Sequence, residues 1–318
     1  MASTDSTAQA DLPLSRPATT NPVRVYWPYA INLALIHLLS LLVFVPWFFS
    51  WTGVVAAVLG LYVFGTLGIN LAFHRMLTHR SLTLPKWLEY CFSTLAVCSL
   101  QDSPARWVAI HRLHHQHSDD QPDPHSPLVN LFWGHVGWVV VKNATHDKTF
   151  HYERYCRDVL RDPYYFWLER KLRWFWVYLA HAAAFFLGGL AVGWAMTGQW
   201  MLGLQFGASL LVWGVFLRTV LVWHITWAVN SFAHVFGYQN YDTGDSSRNN
   251  ILFALISNGD GWHNNHHAFQ RCAAHGHKWW EFDVTYITIR VLERLGLATN
   301  VVKHPLQPHR SAGPQTTA

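Results

Sequence analysis

Charged residues are scarce in this chain. Only 13% of its 318 residues are Asp, Glu, Lys or Arg, whereas soluble domains carry roughly 25%. The deficit is concentrated, because residues 25–73 and 174–217 contain no charged residue at all. Each stretch is long enough for two helical membrane spans of about 20 residues. The chain also has 18 tryptophans, a residue type that favours the membrane interface. The composition predicts an all-α integral membrane protein.

Cysteine is scarce too, and no concentrated basic patch is present. The four cysteines have neither C-x-x-C spacing nor a paired framework, so we expect reduced thiols and no cysteine metal site. The net charge is +5, but no nucleic-acid recognition motif accompanies it. We interpret this surplus as the positive charge that membrane proteins keep on the cytoplasmic side, and we expect no nucleic-acid partner.

Turn-forming residues divide each uncharged stretch in two. Pro46 and the S-W-T-G sequence interrupt the first, and T-G-Q interrupts the second. The short loops within these pairs have no Lys or Arg, so the positive-inside rule places both termini and the segment 74–173 in the cytoplasm. We predict four spans in two hairpins, near residues 26–48, 54–74, 174–196 and 201–229. They belong to a domain of residues 25–303, flanked by a disordered tail (1–24) and a loose tail (304–318).

One charged residue, Arg218, falls within the fourth predicted span. An ionisable residue inside the membrane is a candidate functional residue. The alternative is that its long side chain extends to the nearby cytoplasmic interface. The sequence leaves both interpretations open.

Histidine, in contrast, is abundant, and nine of the 21 histidines fall in short groups near the predicted span ends and in the segments beyond them. The groups are H-R-M-L-T-H, H-R-L-H-H, N-S-F-A-H and H-N-N-H-H. Neutral imidazole is the commonest metal-binding side chain. Nine ligands are too many for one ion, so the pattern predicts two metals. The candidate ligands are His74, His79, His111, His114, His115, His234, His263, His266 and His267.

Helical spacing gives these groups an expected geometry. Positions i, i+3 and i+4 share one face of an α-helix, so each H-x-x-H-H group is predicted to point three imidazoles at one centre. His74 and His79 lie about 140° apart on an ideal α-helix and are predicted to bracket two ions, one each. Asp119 and Asp260 are candidates to accept the second ring N–H of a ligand. The alternative is that both are ordinary cap or loop residues.

The three H-containing boxes resemble those of the membrane-bound fatty acid desaturases, and the match is to the delta-9 type. That type carries H-x-x-x-x-H, then H-R-x-H-H, then H-x-x-H-H, and this chain has H-R-M-L-T-H, H-R-L-H-H-Q-H-S-D and G-W-H-N-N-H-H in the same order. The sequences D-P-H, G-H-V-G-W, N-S-F-A-H and S-R-N-N agree as well. The resemblance runs from about residue 26 to about residue 300.

The resemblance implies a centre of two iron ions (Fe2+/Fe3+) that uses O2 to remove two hydrogens from a saturated acyl chain, leaving a cis double bond. The nine histidines would be the ligands, and Asn230 would hold a metal-bound water. The acyl chain would occupy a narrow bent tunnel. Tyr62 and Phe64 lie about 15–18 Å along the helix before His74, and we expect them to line this tunnel.

The resemblance leaves the acyl carrier and the electron donor open. Acyl-CoA enzymes of animals carry Arg-Asp before the second box, where this chain has Ala109 and Ile110. The carrier is therefore either CoA or a membrane lipid. The acid before the third box is Asp260, where Glu is frequent in the family. No cytochrome b5 module is fused, so we expect a separate donor of the ferredoxin or cytochrome b5 type, with its reductase.

Two other functions fit parts of the pattern. A membrane hydroxylase on the same kind of diiron scaffold would yield an alcohol instead of an alkene. A metal transporter would place polar residues within several spans near the middle of the bilayer. In this sequence the histidine groups lie near one side of the spans, which favours an enzyme.

Overall fold

The computed structural model describes residues 14–305, and this part of the chain is helical with no β-strand. Four helical segments are long and apolar enough to cross a membrane, namely Trp27–Phe44, Trp51–Thr78, Pro163–Thr197 and Trp200–Phe232. We call them the first to fourth spans. The structure therefore confirms the predicted all-α fold with four candidate spans.

The described chain contains thirteen α-helices. They are α1 (Trp27–Ser40), α2 (Trp51–Gly60), α3 (Lys86–Val97), α4 (Pro104–Gln116), α5 (Trp138–Val140), α6 (Thr149–Leu160), α7 (Pro163–Glu169), α8 (Arg173–Thr197), α9 (Trp200–Leu211), α10 (Arg218–Phe232), α11 (Ile251–Ile256), α12 (His263–Ala268) and α13 (Val284–Arg294). Three π-helical stretches join or precede them, at Leu61–Thr78, Trp133–Gly137 and Val212–Leu217. The second span is thus α2 continued by a π-helix, and the fourth is α9 and α10 joined by another.

The third and fourth spans form a close helical hairpin. Gly198 makes the turn with φ of +68°, a left-handed conformation that glycine adopts without strain. Behind the turn, Gly207 of α9 lies so close to α8 that an added Cβ would be 2.4 Å from the Phe186 carbonyl oxygen. Small residues allow such approach between membrane helices.

The fourth span lies at the centre of the bundle. About 61% of its most apolar window is buried, against 11% for the first and third spans. Both α1 and α2 pack against its π-helical stretch, Val212–Leu217. The first and third spans consequently present their apolar side chains outward, as expected of helices that face lipid.

The remaining helices build a cap at the end of the second and fourth spans. α3 packs on the π-helical part of the second span, and α4 packs on α6. Arg112 of α4 donates hydrogen bonds to the carbonyl oxygens of Leu77 and Thr78, where the second span ends, and pairs with Asp158 of α6 at 2.7 Å. These contacts fix α4 against the end of the second span.

Arg218 is wholly buried, which excludes the alternative that its side chain extends to the interface. Its guanidinium donates to the carbonyl oxygens of Cys98 and Gly214 and lies 3.9 Å from the centroid of the Phe64 ring. Backbone carbonyls and an aromatic face therefore replace water around the charge.

The two predicted tails are ordered where the structure describes them. Residues 14–24 pack along the segment 128–144: Leu14 donates to the Leu128 carbonyl, and Thr19 donates through its hydroxyl to Asn143. At the other end, His304 is 4% exposed and its ring lies 4.0 Å from that of His277. Backbone and side-chain hydrogen bonds, which composition does not reveal, order these residues. Residues 1–13 and 306–318 lie outside the described part.

Candidate metal centre

The structure brings the nine predicted histidines together in two adjacent groups. One, the five-histidine group, contains His74, His79, His111, His115 and His266; the other, the four-histidine group, contains His114, His234, His263 and His267. Within each group the ligand nitrogens lie within 4.8 Å of one another. Eight of the nine imidazoles are buried, and His115 is partly buried.

The nitrogens that converge are the Nε2 atoms. In the five-histidine group, His266 Nε2 lies 3.1 Å from His74 Nε2 and 2.9 Å from His115 Nε2. In the four-histidine group, His263 Nε2 lies 2.9 Å from His234 Nε2 and 3.1 Å from His267 Nε2. Such crowding of lone-pair nitrogens is what a cation between them would stabilise.

The two H-x-x-H-H boxes do not each serve one centre, contrary to the sequence-based prediction. On α4, His111 and His115 belong to the five-histidine group, but His114 belongs to the other. On α12, His263 and His267 belong together and His266 belongs to the opposite group. Positions i and i+4 are nearly in line on a helix, whereas i+3 is displaced to one side. Each helix therefore lies between the two groups and contributes to both.

His74 and His79 also depart from the prediction that they bracket two ions, since both belong to the five-histidine group. The physical reason is the π-helix. His79 donates its backbone N–H to the His74 carbonyl at 3.2 Å, the i to i−5 pattern of a π-turn. Residues five apart then come close together, and the two ring centroids are 4.9 Å apart. An ideal α-helix would have separated them.

Carboxylates hold the opposite ring nitrogen of four of these histidines. His74 Nδ1 donates to Asp260 at 3.1 Å and His234 Nδ1 donates to Asp119 at 2.8 Å, so both predicted acidic partners contact a candidate ligand. Two further pairs were not predicted: His114 with Asp123 at 3.0 Å, and His267 with Asp245 at 2.6 Å. Each carboxylate accepts a hydrogen bond from Nδ1–H. The proton therefore stays on Nδ1, and Nε2 is free to bind a metal.

The pKa shifts agree with this arrangement. Burial alone would raise the pKa of Asp119 and Asp245. The adjoining imidazoles and the hydrogen bonds that these carboxylates accept have the larger combined effect, so the pKa of each lies well below its ordinary value. Burial lowers the pKa of His79 and His266, and neighbouring imidazoles lower it further. His234 differs: burial lowers its pKa, but the hydrogen bond to Asp119 and the charges of Asp119, Asp123 and Asp245 together raise it above the ordinary value. A bound cation would displace that proton.

Asp260 belongs to a buried ionic network beneath the five-histidine group. Arg75, with no exposed surface, lies 2.9 Å from both Asp260 and Asp283. His275 lies 3.3 Å from Asp260, and its ring centroid lies 4.4 Å from that of His266 with the two rings tilted by 33°. Sequence reasoning did not single out His275 or Asp283, which carry no recognisable spacing to the boxes.

A cavity adjoins both groups. His74, His111, His263 and Asn230 line it at one place. The rest of its wall is largely apolar and comes from the first span, the second span, α4 and α10, with Leu33, Ile69, Leu100, Ile110, Trp138, Trp223 and Val229 among the lining residues. Tyr62 and Phe64 do not line this cavity. Tyr62 bonds to Thr288 at 2.8 Å, and Phe64 packs under Arg218.

Two polar clusters interrupt the apolar wall. In one, the Trp107 indole donates to the Gln101 amide oxygen at 3.2 Å, and the Gln101 amide donates to the Thr226 hydroxyl at 3.0 Å. The other, which we call the polar end, consists of Tyr29, Asp102, Arg106 and His146. Arg106 pairs with Asp102 at 2.9 Å, and the buried Nδ1 of His146 has no hydrogen-bond partner among the described residues.

Comparisons with known proteins agree with this geometry. A model of the fatty acid desaturase family matches residues 46–283. An sn-1 stearoyl-lipid 9-desaturase of Anabaena variabilis is 41% identical over 89% of this chain and 96% of its own length. An sn-2 palmitoyl-lipid 9-desaturase of Nostoc sp. is 37% identical over 92% and 95%, and an acyl-CoA 5-desaturase of Anemone leveillei is 40% identical over 83% and 76%. The chain therefore belongs to the fatty acid desaturase family.

Proposed function

We propose that this chain is an O2-dependent oxidoreductase that introduces a cis double bond at carbon 9 of a saturated acyl chain carried by a membrane lipid. The observation that carries the proposal is the placement of two all-histidine groups at the wall of an apolar cavity. Membership of the desaturase family supports the reaction, and the stearoyl-lipid and palmitoyl-lipid relatives support the position and the carrier.

The proposed cofactor is a pair of iron ions. His74, His79, His111, His115 and His266 would hold one; His114, His234, His263 and His267 would hold the other, with Asn230 contributing through a bound water. The residues fit such a pair, because the converging Nε2 atoms of each group are backed by buried carboxylates on Nδ1. Iron would supply the oxidising power from O2 that attack on an unactivated C–H bond requires, which Zn2+ cannot provide.

The protein's own part in the reaction would be to position the acyl chain. The cavity excludes water from the methylenes and presents one section of the chain to His74, His111 and His263. Gln101, Thr226 and Trp107 line the cavity as a hydrogen-bonded set, and the Trp107 ring lies 5.1 Å from that of His111, so these residues would bend the chain there.

The polar end would receive the carboxyl linkage of the substrate. Arg106 precedes His111 by five residues on α4, roughly 7.5 Å along the helix axis, a distance spanned by several methylenes. Since Asp102 already neutralises Arg106, the polar end suits an uncharged ester better than the anionic phosphates of CoA. Ala109 and Ile110 carry no charge and are buried beside it, which agrees with this choice.

The proposed location of the centre is the cytoplasmic side of the membrane. Apart from Arg218, the Lys and Arg residues of the described chain lie in the cap or in segments that adjoin it, whereas the loops between the first and second spans and between the third and fourth have neither residue. The positive-inside rule then places the cap, and both termini, in the cytoplasm. A separate ferredoxin-type or cytochrome b5-type carrier would deliver electrons there.

Analysis of lipids in a host without its own desaturase tests the proposal. Expression of the chain should produce a cis alkene at carbon 9, found first in intact membrane lipids after separation from the acyl-CoA pool. An alcohol at the same carbon would support the hydroxylase alternative. Metal accumulation without any modified acyl chain would support the transporter.

A further inference from the structure

The five-histidine group is reached from two recesses. His74 and His111 line the acyl cavity. His79 and His115 instead line a depression in the surface of the cap, which we call the basic depression. Its other lining residues are Thr78, Arg80, Arg112, Gln116, Gln270 and Arg271.

Positive charge predominates around the basic depression. Arg80 and Arg112 share Asp158 at 2.7 Å each, so three arginines face one carboxylate, a surplus of two positive charges. Arg271 is exposed and makes no ion pair within the described residues, and the Arg80 side chain is 62% exposed. The Arg271 guanidinium is therefore available to a negatively charged partner, and the exposed Arg80, although paired with Asp158, adds to the positive charge beside it.

The floor of the basic depression is rigid. Arg112 is held by the Leu77, Thr78 and Tyr155 carbonyl oxygens, so it anchors the depression and is not free to move toward a ligand. His79 is 7% exposed, and its Nε2 has no hydrogen-bond partner among the described residues. A partner seated on this face would approach the five-histidine group without rearranging the cap.

The chemistry of the proposed function, on which this inference rests, requires such an approach. Conversion of CH2–CH2 and O2 to CH=CH and two H2O consumes two protons and two electrons beyond the pair taken from the acyl chain. No residue of the described chain is a source of these electrons. While an acyl chain fills the cavity beside His74 and His111, the basic depression remains open to the aqueous side.

We propose that the basic depression is the docking face for a small acidic one-electron carrier protein, which delivers two electrons, one per encounter, past His79 and His115. Arg271 and Arg80 would steer the carrier and hold it by complementary charge. The acyl chain and the electron donor would then act on the same centre from different recesses.

The aromatic surface around Trp279 and Trp280 is the alternative route by which electrons would enter, and it supplies the control variant. Trp279 is 96% exposed beside Lys278, and Trp280 lies 5.8 Å from Trp262, the residue that precedes His263. This aromatic surface has a single lysine, whose ammonium lies over the Trp280 ring. A charge reversal at Lys278 therefore matches a reversal at Arg271 in size while leaving the basic depression intact.

The test uses full-length, iron-loaded protein in lipid nanodiscs and a reduced plant-type [2Fe–2S] ferredoxin as the acidic carrier. The rate of ferredoxin oxidation is followed by absorbance at several salt concentrations in the presence of acyl lipid and O2. Arg271→Glu should slow this oxidation on the order of tenfold at low salt, with the difference shrinking at high salt, and Lys278→Glu should behave as the unmodified protein. Alkene formation driven by dithionite should be equal in all three.

Equal ferredoxin oxidation by the Arg271→Glu and unmodified proteins would overturn the docking proposal, as would a selective loss in Lys278→Glu. Arg271 makes no ion pair, so the substitution does not break a structural contact; Arg271→Gln, expected to show a smaller loss, repeats the test without charge reversal. Absence of alkene from the unmodified protein with dithionite would instead count against the proposed function. The two failures are thus distinguishable.

Discussion

At the residue scale, the decisive feature is that four of the nine candidate ligands have a carboxylate on Nδ1, which leaves Nε2 for a metal. In His114, Nδ1 contacts Asp123 at 3.0 Å and Nε2, buried and without a partner among the described residues, faces the four-histidine group. His114→Ala should abolish desaturation, reducing product by more than about 100-fold, because one ion would lose a ligand in a four-ligand set. Lipid analysis of membranes with confirmed expression of the variant measures this. Unchanged product would remove His114 from the centre.

The carboxylates behind the imidazoles make a second prediction at this scale. Asp245→Asn should weaken metal binding about 10- to 100-fold, because an uncharged amide accepts the hydrogen bond from His267 Nδ1–H more weakly than a carboxylate does. Competition with a chelator, read as iron retained per protein, measures the effect. Asp242→Asn is the matched control, because Asp242 is exposed and lies three residues away. Equal iron retention in the two variants would refute the role given to Asp245.

The sequence predicted these residues unevenly. The histidines could be predicted from their repeated spacing, and all nine candidate ligands lie in the two groups. Asp119 and Asp260 were expected because each lies near a histidine box. Asp245 and His275 were not, because they lie in irregular segments that approach the groups only through tertiary contacts. Arg218 could not be placed either, since its carbonyl partners belong to residues distant in sequence or to its own helix.

At the element scale, the spans were predictable and their internal geometry was not. Long uncharged runs require helices in a membrane. Whether a helix widens into a π-turn depends on packing, and this widening brings His74 and His79 into one group. The same limit explains why the helical-face argument assigned each H-x-x-H-H box to one centre. Each of α4 and α12 was expected to lie beside a single metal site, whereas both helices lie between the two histidine groups.

The close packing of α8 on α9 yields a stability prediction. Gly207→Ala should destabilise the hairpin by about 1–3 kcal/mol, because the new methyl group would collide with backbone atoms of Phe186 and Leu190. Thermal unfolding in detergent, with detection of intact protein, measures the midpoint. Gly188→Ala in α8 is the control, since nothing lies within 4 Å of its added Cβ. A lower midpoint in both variants, or in neither, would contradict the packing argument.

The hydrogen bond between Gln101 and Thr226 in the cavity wall gives a prediction about the position of the double bond. Thr226→Val keeps the shape of α10 but removes the hydroxyl that receives the Gln101 amide. The bend imposed on the acyl chain should loosen, so double bonds at positions beside carbon 9 should appear, by mass spectrometry, above their level in the unmodified protein. Tyr62→Ala, outside the cavity wall, should not change the product. The sequence-based expectation that Tyr62 lines the acyl tunnel predicts the reverse, and a product change confined to the Tyr62 variant would support that expectation.

At the scale of the whole molecule, two separate recesses reach the five-histidine group, and we propose that the substrate uses one and the electron donor the other. The fourth span is central and carries the cavity wall, the first and third face outward, and the cap closes the histidine groups. Such a division suits a substrate that arrives within the bilayer and a donor that arrives from water. Composition predicted the membrane class, but the distinction between the two recesses required the folded cap.

We propose that the two histidine groups hold redox-active iron and that this pair of ions desaturates an acyl lipid. The most direct measurement compares metal-stripped protein reloaded with Fe2+ or with Zn2+, each supplied with a stearoyl lipid, a reductant and O2. We expect about two metals bound per chain in both samples, and a cis double bond at carbon 9 only in the iron-loaded one. Equal product with zinc, or an alcohol as the iron-dependent product, would contradict it.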